Sequence, residues 1–204
     1  AFRDTSNSED ARRYIETAIN HPLRVISGLE EAQLIRFHPK SNTGKKKIFV
    51  DLGGGSTEFF LRDSKGIEIR SFQLGAVRNM LNKDKKAEWI RLEKWLETIK
   101  PRKKLIGIGG NIRSFLESQN KKELSAKELN KKMKEFSTLS TQEKILKYQF
   151  SPDRADVIDH ALNIFNFISE HLMIETITST KWGISDSIGV KLFHEIYSNK
   201  INIS

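Results

Sequence analysis

Residues 48–61 read Ile48-Phe49-Val50-Asp51-Leu52-Gly53-Gly54-Gly55-Ser56-Thr57-Glu58-Phe59-Phe60-Leu61. The run Ile48–Val50 is continuously apolar, the pattern of a strand buried on both faces. It delivers Asp51 at its carboxyl end. Three glycines then let a main chain approach a bulky anion closely, and successive N–H groups in such a turn form an anion-binding nest. Ser56 and Thr57 add hydroxyl donors, and Glu58-Phe59-Phe60-Leu61 opens a second strand. Asp51 and Glu58 flank the turn, seven residues apart. If the chain folds back on itself, both face one Mg²⁺ bound to phosphate oxygens, a cation that prefers hard oxygen ligands. A glycine-rich hairpin with acids kept for solubility is the plainer alternative.

Working outward, Asp63-Ser64-Lys65-Gly66 predicts a hairpin turn, with Ile67–Leu74 as the third strand. Gly75 breaks that strand and Val77–Leu81 begins a helix. Glu88–Ile99 is amphipathic, with Trp89, Leu92, Trp95, Leu96 and Ile99 along one side. Lys104–Ile108 reads as a strand, and Gly109-Gly110-Asn111 turns it into a helix over 112–116. A helix start after glycines is a ready anion site, with Arg113 adding charge. A tight strand–helix turn explains the same residues.

Upstream, Glu9–Ile19 predicts a helix with Ala11, Tyr14, Ile15 and Ala18 on one side. Leu23–Ile26 reads as a short strand and Glu30–His38 as a helix, followed by a polar loop over Pro39–Lys47. Ser27-Gly28-Leu29-Glu30-Glu31-Ala32 sets two carboxylates at a helix start. Acids there satisfy the helix dipole. Attack of water on phosphorus also needs a carboxylate to position or deprotonate it. Position alone does not choose between Glu30 and Glu31.

Downstream, helices are predicted over Ser125–Phe136, Thr141–Lys147 and Arg154–Leu172, a strand over Thr176–Ser179, a helix over Gly189–Tyr197 and a polar tail to Ser204. The chain thus divides into an α/β half, about residues 1–118, and a mostly helical half whose last strand and helix return to the sheet.

The chain has 204 residues, 37% of them hydrophobic and 30% charged, the balance of a globular protein. No apolar run approaches the roughly 18 residues of a membrane span. With no cysteine, disulfides, thiolate metal sites and cysteine nucleophiles are excluded, and a reducing cytoplasm is the expected compartment. A net charge of +9 favours anionic partners, although clusters such as Lys45–Lys47 also suit a solvated surface. The five histidines show no metal-ligand spacing. Ser56 lacks a nucleophile-elbow context, and no nucleic-acid motif is visible.

These motifs together resemble the exopolyphosphatase and guanosine pentaphosphate phosphohydrolase (Ppx/GppA phosphatase) family, similar in fold to sugar kinases, acetate kinase and actin. Arg3-Asp4-Thr5-Ser6-Asn7 looks like its R-x-x-x-N segment. Ser27–Ala32 looks like its S-G-x-E-E-A motif, and Asp51–Glu58 matches D-x-G-G-G-S-T-E. Gly107–Asn111 resembles G-x-G-G-T, and Arg154-Ala155-Asp156-Val157-Ile158 matches R-A-D-V-I.

The resemblance implies an α/β, ribonuclease H-like (actin or sugar kinase-like) fold: a mixed sheet with flanking helices, the N-terminal lobe mostly absent. Residues 1–38 would be the remainder of that lobe and the interlobe connection. Residues 39–204 would be the C-terminal lobe, with a helical insertion around 120–150. Glu31 would activate water. Asp51 and Glu58 would hold Mg²⁺ or another divalent cation. Arg3, Asn7, Gly53, Gly54, Gly55, Ser56, Thr57, Gly109, Gly110 and Asn111 would bind phosphate.

The implied reaction is hydrolysis of a terminal phosphoanhydride of polyphosphate or guanosine pentaphosphate. The implied partners are those substrates or guanosine tetraphosphate and a possible homodimer, with no specific nucleic acid and no membrane. Three departures qualify it. The family's first phosphate loop, D-x-G-S-N-S, would lie upstream of Ala1, and without it the chain is expected to be inactive. Asn111 stands for the usual Thr. Trp182-Gly183-Ile184-Ser185-Asp186-Ser187 stands for W-G-L-R-E-G, so Ser185 lacks a positive charge. A kinase of the same superfamily, a non-catalytic binder of guanosine polyphosphates or polyphosphate, and a basic nucleic-acid binder are the alternatives.

Overall fold

The computed structural model describes residues 5–41, 46–64 and 66–201, with no account of side chains after Tyr197. A six-stranded mixed sheet organises the chain, in the order β3-β2-β1-β4-β6-β5. β1 (Lys47–Leu52), β2 (Thr57–Asp63) and β3 (Gly66–Phe72) form an antiparallel meander. β4 (Lys104–Ile108) lies parallel to β1, and β6 (Thr176–Ser179) parallel to β4. β5 (Glu123–Ser125) adds an antiparallel edge. Its three residues carry too short a pattern to read as a strand in the sequence.

Strand residues alternate between two faces, and two separate cores follow. Ile48, Val50 and Leu52 of β1 and Phe59 and Leu61 of β2 join the large core. That core is closed by α4 (Lys86–Glu97), α5 (Gly110–Ser118), α6 (Ala126–Ser137) and the 20-residue α8 (Pro152–His171). Phe49, Phe60, Ile106 and Ile108 face the other way and form a small core with Ile35. α2 (Gly28–Leu34), the 3-10 turn Ile35–Phe37 and α9 (Ile184–Ile201) cover that second face. The apolar continuity of β1 therefore has the two-sided burial it predicted.

Short α3 (Ala76–Met80) follows β3, and α7 (Thr141–Tyr148) precedes α8. α1 (Ser8–Ile19) forms where its periodicity predicted it, but none of its residues is buried and Tyr14 is 77% exposed. Residues 22–27 are not the short strand expected over Leu23–Ile26. The Leu23 N–H donates to the Glu16 carboxylate at 2.8 Å instead of to a sheet neighbour. The helix expected from Gly189 begins at Ile184 and runs to Ile201, through the start of the expected polar tail. The polar loop after Pro39 includes residues 42–45, and the hairpin turn includes residue 65, all outside the described residues.

Candidate active site

One rung of the sheet gathers the candidate acids. Asp51 of β1 pairs in register with Glu58 of β2, Glu58 pairs with Ser71 of β3, and Asp51 lies beside Ile108 of β4. Asp51 shares its strand face with Phe49, and Glu58 with Phe60, so both carboxylates rise from the small-core face. Side chains opposite each other on antiparallel strands have Cβ atoms about 5 Å apart. Two acids in that relation, at 9% and 2% exposure, are a costly arrangement. They stand at the carboxyl ends of the parallel pair β1 and β4, where open α/β sheets bind ligands.

α2 caps this rung. Ser27 is its N-cap: the Ser27 hydroxyl accepts from Glu30 N–H at 3.2 Å, and Glu30 accepts from Ser27 N–H at 2.7 Å. Glu30 also pairs with Arg24. The capping box therefore occupies Glu30 and leaves Glu31 as the carboxylate whose charge acts on both Asp51 and Glu58. Gly28 is what permits the approach. A Cβ there would lie 2.9 Å from Glu58 Oε1 and 2.2 Å from Ser71 Oγ.

The turn Gly53–Ser56 closes the β1–β2 hairpin, with Gly53 N–H donating to Ser56 C=O at 3.0 Å. Its carbonyls are held from one side. Gly53 C=O accepts from Ala76 N–H at 3.0 Å, Gly54 C=O from Arg78 N–H at 2.9 Å, and Gly55 C=O from Arg78 Nε at 2.9 Å. In a trans peptide the next N–H points opposite to the carbonyl, and no cis bond occurs among the described residues. The N–H groups of Gly54, Gly55 and Ser56 consequently point away from α3, the arrangement of an anion nest. Gly75 fits α3 against the turn, since a Cβ on it would come within 2.5 Å of Gly54 C=O.

The second glycine pair meets the same rung. Gly109 has φ +87°, a conformation that favours glycine, and its missing Cβ would sit 3.1 Å from Asp51 Oδ1. Gly110 begins α5 directly under Arg154, with Nη2 2.6 Å from the position of a Cβ. Asn111 is buried and spends its side chain internally: Nδ2 donates to Leu52 C=O at 2.7 Å, and Oδ1 accepts from Arg154. Thr57 does likewise, donating its buried hydroxyl to Leu74 C=O at 2.6 Å. Both side chains, expected on phosphate, tie the glycine turns to the surrounding structure.

Burial first, and then the charge of Glu31, pushes Asp51 up to about 7. Burial also pushes Glu58 up to about 7; hydrogen bonds from Ser56 and Ser71 oppose that rise, while Glu31 and Asp51 add to it. Ser71 Oγ donates to Glu58 at 3.0 Å. Such a set of hard oxygen donors, crowded with negative charge, fits a divalent cation. Among the described residues no group of three His, Cys, Asp or Glu is arranged to hold a metal by itself. A cation at Asp51 and Glu58 would therefore complete its shell with phosphate oxygens or water.

Arg3 lies outside the described residues. Asn7 is exposed before α1, and its carbonyl accepts from Ala11 N–H at 2.9 Å. Thr5, two residues earlier, lines a cavity with Gly54 and Gly55. Ser185 is exposed in the first turn of α9, next to a start fixed by Gly183 N–H donating to Asp186 at 2.7 Å. Sequence reasoning missed Ser71, Gly28 as a contact residue, and the side chains of Arg78 and Arg154. Ser71 becomes legible only through strand register. Arg154 stands in a matched motif, but its partner is 43 residues away.

A model of the Ppx/GppA phosphatase family matches residues 1–195. The Ppx/GppA family member of Aquifex aeolicus is 23% identical, with a TM-score of 0.72 over 95% of this chain and 72% of that one. An exopolyphosphatase from Cytophaga hutchinsonii is 19% identical, with a TM-score of 0.77 over 97% of this chain and 72% of that one. An exopolyphosphatase-like protein reaches 0.75 at 19% identity, over 96% and 76%. The six-stranded mixed sheet with flanking helices is the actin-like, ribonuclease H-like fold of those structures. No helix among the described residues is long and apolar enough to cross a membrane.

Proposed function

Because the chain belongs to the Ppx/GppA phosphatase family, we propose that it hydrolyses the terminal phosphoanhydride of inorganic polyphosphate or guanosine pentaphosphate, releasing orthophosphate. The observation that carries this reading is the meeting of Glu31, Asp51 and Glu58 at the mouth of the Gly53–Ser56 turn. Water attacks the terminal phosphorus. A new P–O bond forms as the bridging P–O bond breaks, and the bridging oxygen leaves with the shortened chain. Glu31 accepts the proton of the attacking water. Asp51 and Glu58 would hold Mg²⁺, which would neutralise phosphate charge that otherwise repels the nucleophile. The N–H groups of Gly54, Gly55 and Ser56 orient phosphoryl oxygens, with Gly109 and Gly110 opposite.

We assign Thr57 and Asn111 to shaping this cradle. Arg3 and Asn7 are assigned to phosphate binding on the family resemblance of the R-x-x-x-N segment. The net charge of +9 favours polyphosphate, and the absence of cysteine suits a cytoplasmic setting. Ser185, standing where the family carries Arg, motivates a second reading: a regulator that binds guanosine polyphosphates or polyphosphate without turnover.

Phosphate release from polyphosphate and from guanosine pentaphosphate, with and without chelator, by protein that also carries the upstream D-x-G-S-N-S loop the resemblance implies, tests both readings. Glu31→Gln should lower kcat by about 10²-fold or more with KM near that of the parent, and chelator should stop release. Full activity in Glu31→Gln would remove Glu31 from the reaction. Tight binding with no release by the parent would favour the regulator.

A further inference from the structure

A cavity of about 260 Å³ runs along one flank of α5. Ser114, Glu117 and Ser118 of α5 form one wall, and Gln149 and Phe150, between α7 and α8, form the other. Local structure sets that second wall. Gln149 takes a left-handed conformation, φ +56°, and its N–H donates to Ile145 C=O at 2.9 Å, which ends α7. Ser151 C=O then accepts from Arg154 N–H at 3.0 Å and from Ala155 N–H at 2.9 Å, with Pro152 opening α8. The first turn of α8 thereby sets Arg154 in the lining of the cavity.

Arg154 connects this cavity to the acids. Its Nη1 donates to Asn111 Oδ1, and its Nη2 stands over Gly110, 2.6 Å from the position of a Cβ. Gly109, the neighbouring residue, stands on the same measure 3.1 Å from Asp51 Oδ1. Asp51, the glycine pair, Arg154 and the cavity are therefore contiguous. Burial pushes the Arg154 guanidinium down, against the charge of Asp153 and with that of Arg113. A half-buried guanidinium beside a glycine turn favours phosphate oxygens as partners. Past Arg154 the lining changes character. Among the described residues Glu117 is its one other charged group, of opposite sign, and the rest are hydroxyls, an amide and aromatic rings. A further run of phosphates would meet that carboxylate, whereas a ribose and a base find donors, acceptors and an apolar wall. The volume is slightly below the roughly 300 Å³ at which pockets begin to take drug-sized ligands, so it suits a nucleoside whose phosphates lie outside.

We propose that the flank of α5 is a nucleoside site, which holds the ribose and base of a nucleoside polyphosphate while its phosphates pass Arg154 and Gly110 toward Asp51. The binding chemistry stands on the cavity and Arg154. Only the placing of the terminal phosphate at Asp51 rests on the hydrolase reading. A nucleoside polyphosphate fills both ends of this path, and an inorganic chain fills one.

Equilibrium binding of GDP, ADP and inorganic pyrophosphate to the whole chain, at one Mg²⁺ concentration, tests the site. GDP, ADP or both should bind about tenfold or more tighter than pyrophosphate. Ser118 lies two turns along α5 from Gly110, about 12 Å at the helical rise. Ser118→Phe therefore fills the cavity without touching the glycine pair. It should remove the advantage of the nucleoside and leave pyrophosphate binding within about twofold, which also shows that the variant is folded. Photolabelling of the parent with azido-purine analogues of GDP and ADP needs no substitution, and the label should fall within 114–118 or 148–151. Nucleoside diphosphates no tighter than pyrophosphate, an advantage kept in Ser118→Phe, or label confined to other segments would each overturn the site. Cavity-dependent nucleotide binding beside failed phosphate release would sustain the site and remove the hydrolase reading.

Discussion

Gly28 of α2 stands directly against Glu58 of β2, close enough that one added methyl group would lie 2.9 Å from the carboxylate and 2.2 Å from the Ser71 hydroxyl. Gly28→Ala brings two effects of opposite sign. Alanine improves a helical position by up to about 1 kcal/mol. The Ser71 hydroxyl must swing away, losing a hydrogen bond to a carboxylate worth about 1.5–3 kcal/mol. We expect a net destabilisation of about 1 kcal/mol in urea titration and a loss of activity of at least tenfold. The double variant Gly28→Ala/Ser71→Ala should recover part of the stability, since the two residues share one contact. Strict additivity would show that the clash is not with Ser71.

Asp51 and Glu58 face each other while buried, and Glu31 adds a third negative charge. On the proposed reading, that repulsion is a trade of stability for activity. Asp51→Asn and Glu58→Gln keep shape and remove charge. At pH 8 in chelator each should raise the melting temperature by several degrees, about 2–4 °C per kcal/mol for a chain this size, while phosphate release disappears. A lower melting temperature in both variants would mean that the carboxylates are net structural contributors.

Much of this was legible in the sequence, for reasons that differ by residue. The strand over Ile48–Val50, the glycine turn and the helix of Leu92, Trp95 and Leu96 announce themselves through local pattern, and all are observed, the strand running on to Leu52. The Asp51–Glu58 pairing follows from a hairpin closed by a short turn. Other features depend on tertiary neighbours that no local pattern encodes. Thr57 and Asn111 looked like phosphate ligands because they sit in glycine loops. Their partners, Leu74 C=O and Arg154, are 17 and 43 residues away. Leu23–Ile26 had strand composition but forms no strand, the Leu23 N–H going to the Glu16 carboxylate instead.

The Asn111 tie gives a stability prediction. Its amide joins the end of β1, through Leu52 C=O, to Arg154 at the start of α8. Asn111→Ala leaves a buried carbonyl without its donor and Arg154 without its acceptor. Each orphaned group costs about 1–3 kcal/mol, so the loss should reach about 2–4 kcal/mol by urea titration. Asn111→Thr, the residue usual in the family, is too short to span both partners and should lose an intermediate amount. If Asn111→Ala keeps parental stability, the tie is not a structural clamp.

His38 supplies a pH dependence away from the site. It is 3% exposed between Phe49 and Trp182, its Nδ1 accepts from Lys40 N–H at 3.0 Å, and its Nε2 lies 3.0 Å from Thr180 Oγ1. The neutral Nε2–H tautomer satisfies both contacts. Burial, with Lys40 and Lys47 nearby, pushes the imidazole down to about 4. The unfolded chain takes up a proton near the ordinary value of about 6.5, whereas the folded chain refuses it until about 4. Between those values the unfolded state binds more protons, so stability falls as pH falls. The contribution is complete above about pH 6.5 and is lost progressively toward pH 4, by up to about 3 kcal/mol. His38→Gln retains a donor and an acceptor but does not titrate. Its melting temperature should therefore decline less steeply than the parent's between pH 7 and pH 4.5. Parallel curves for the two proteins would place the acid sensitivity elsewhere.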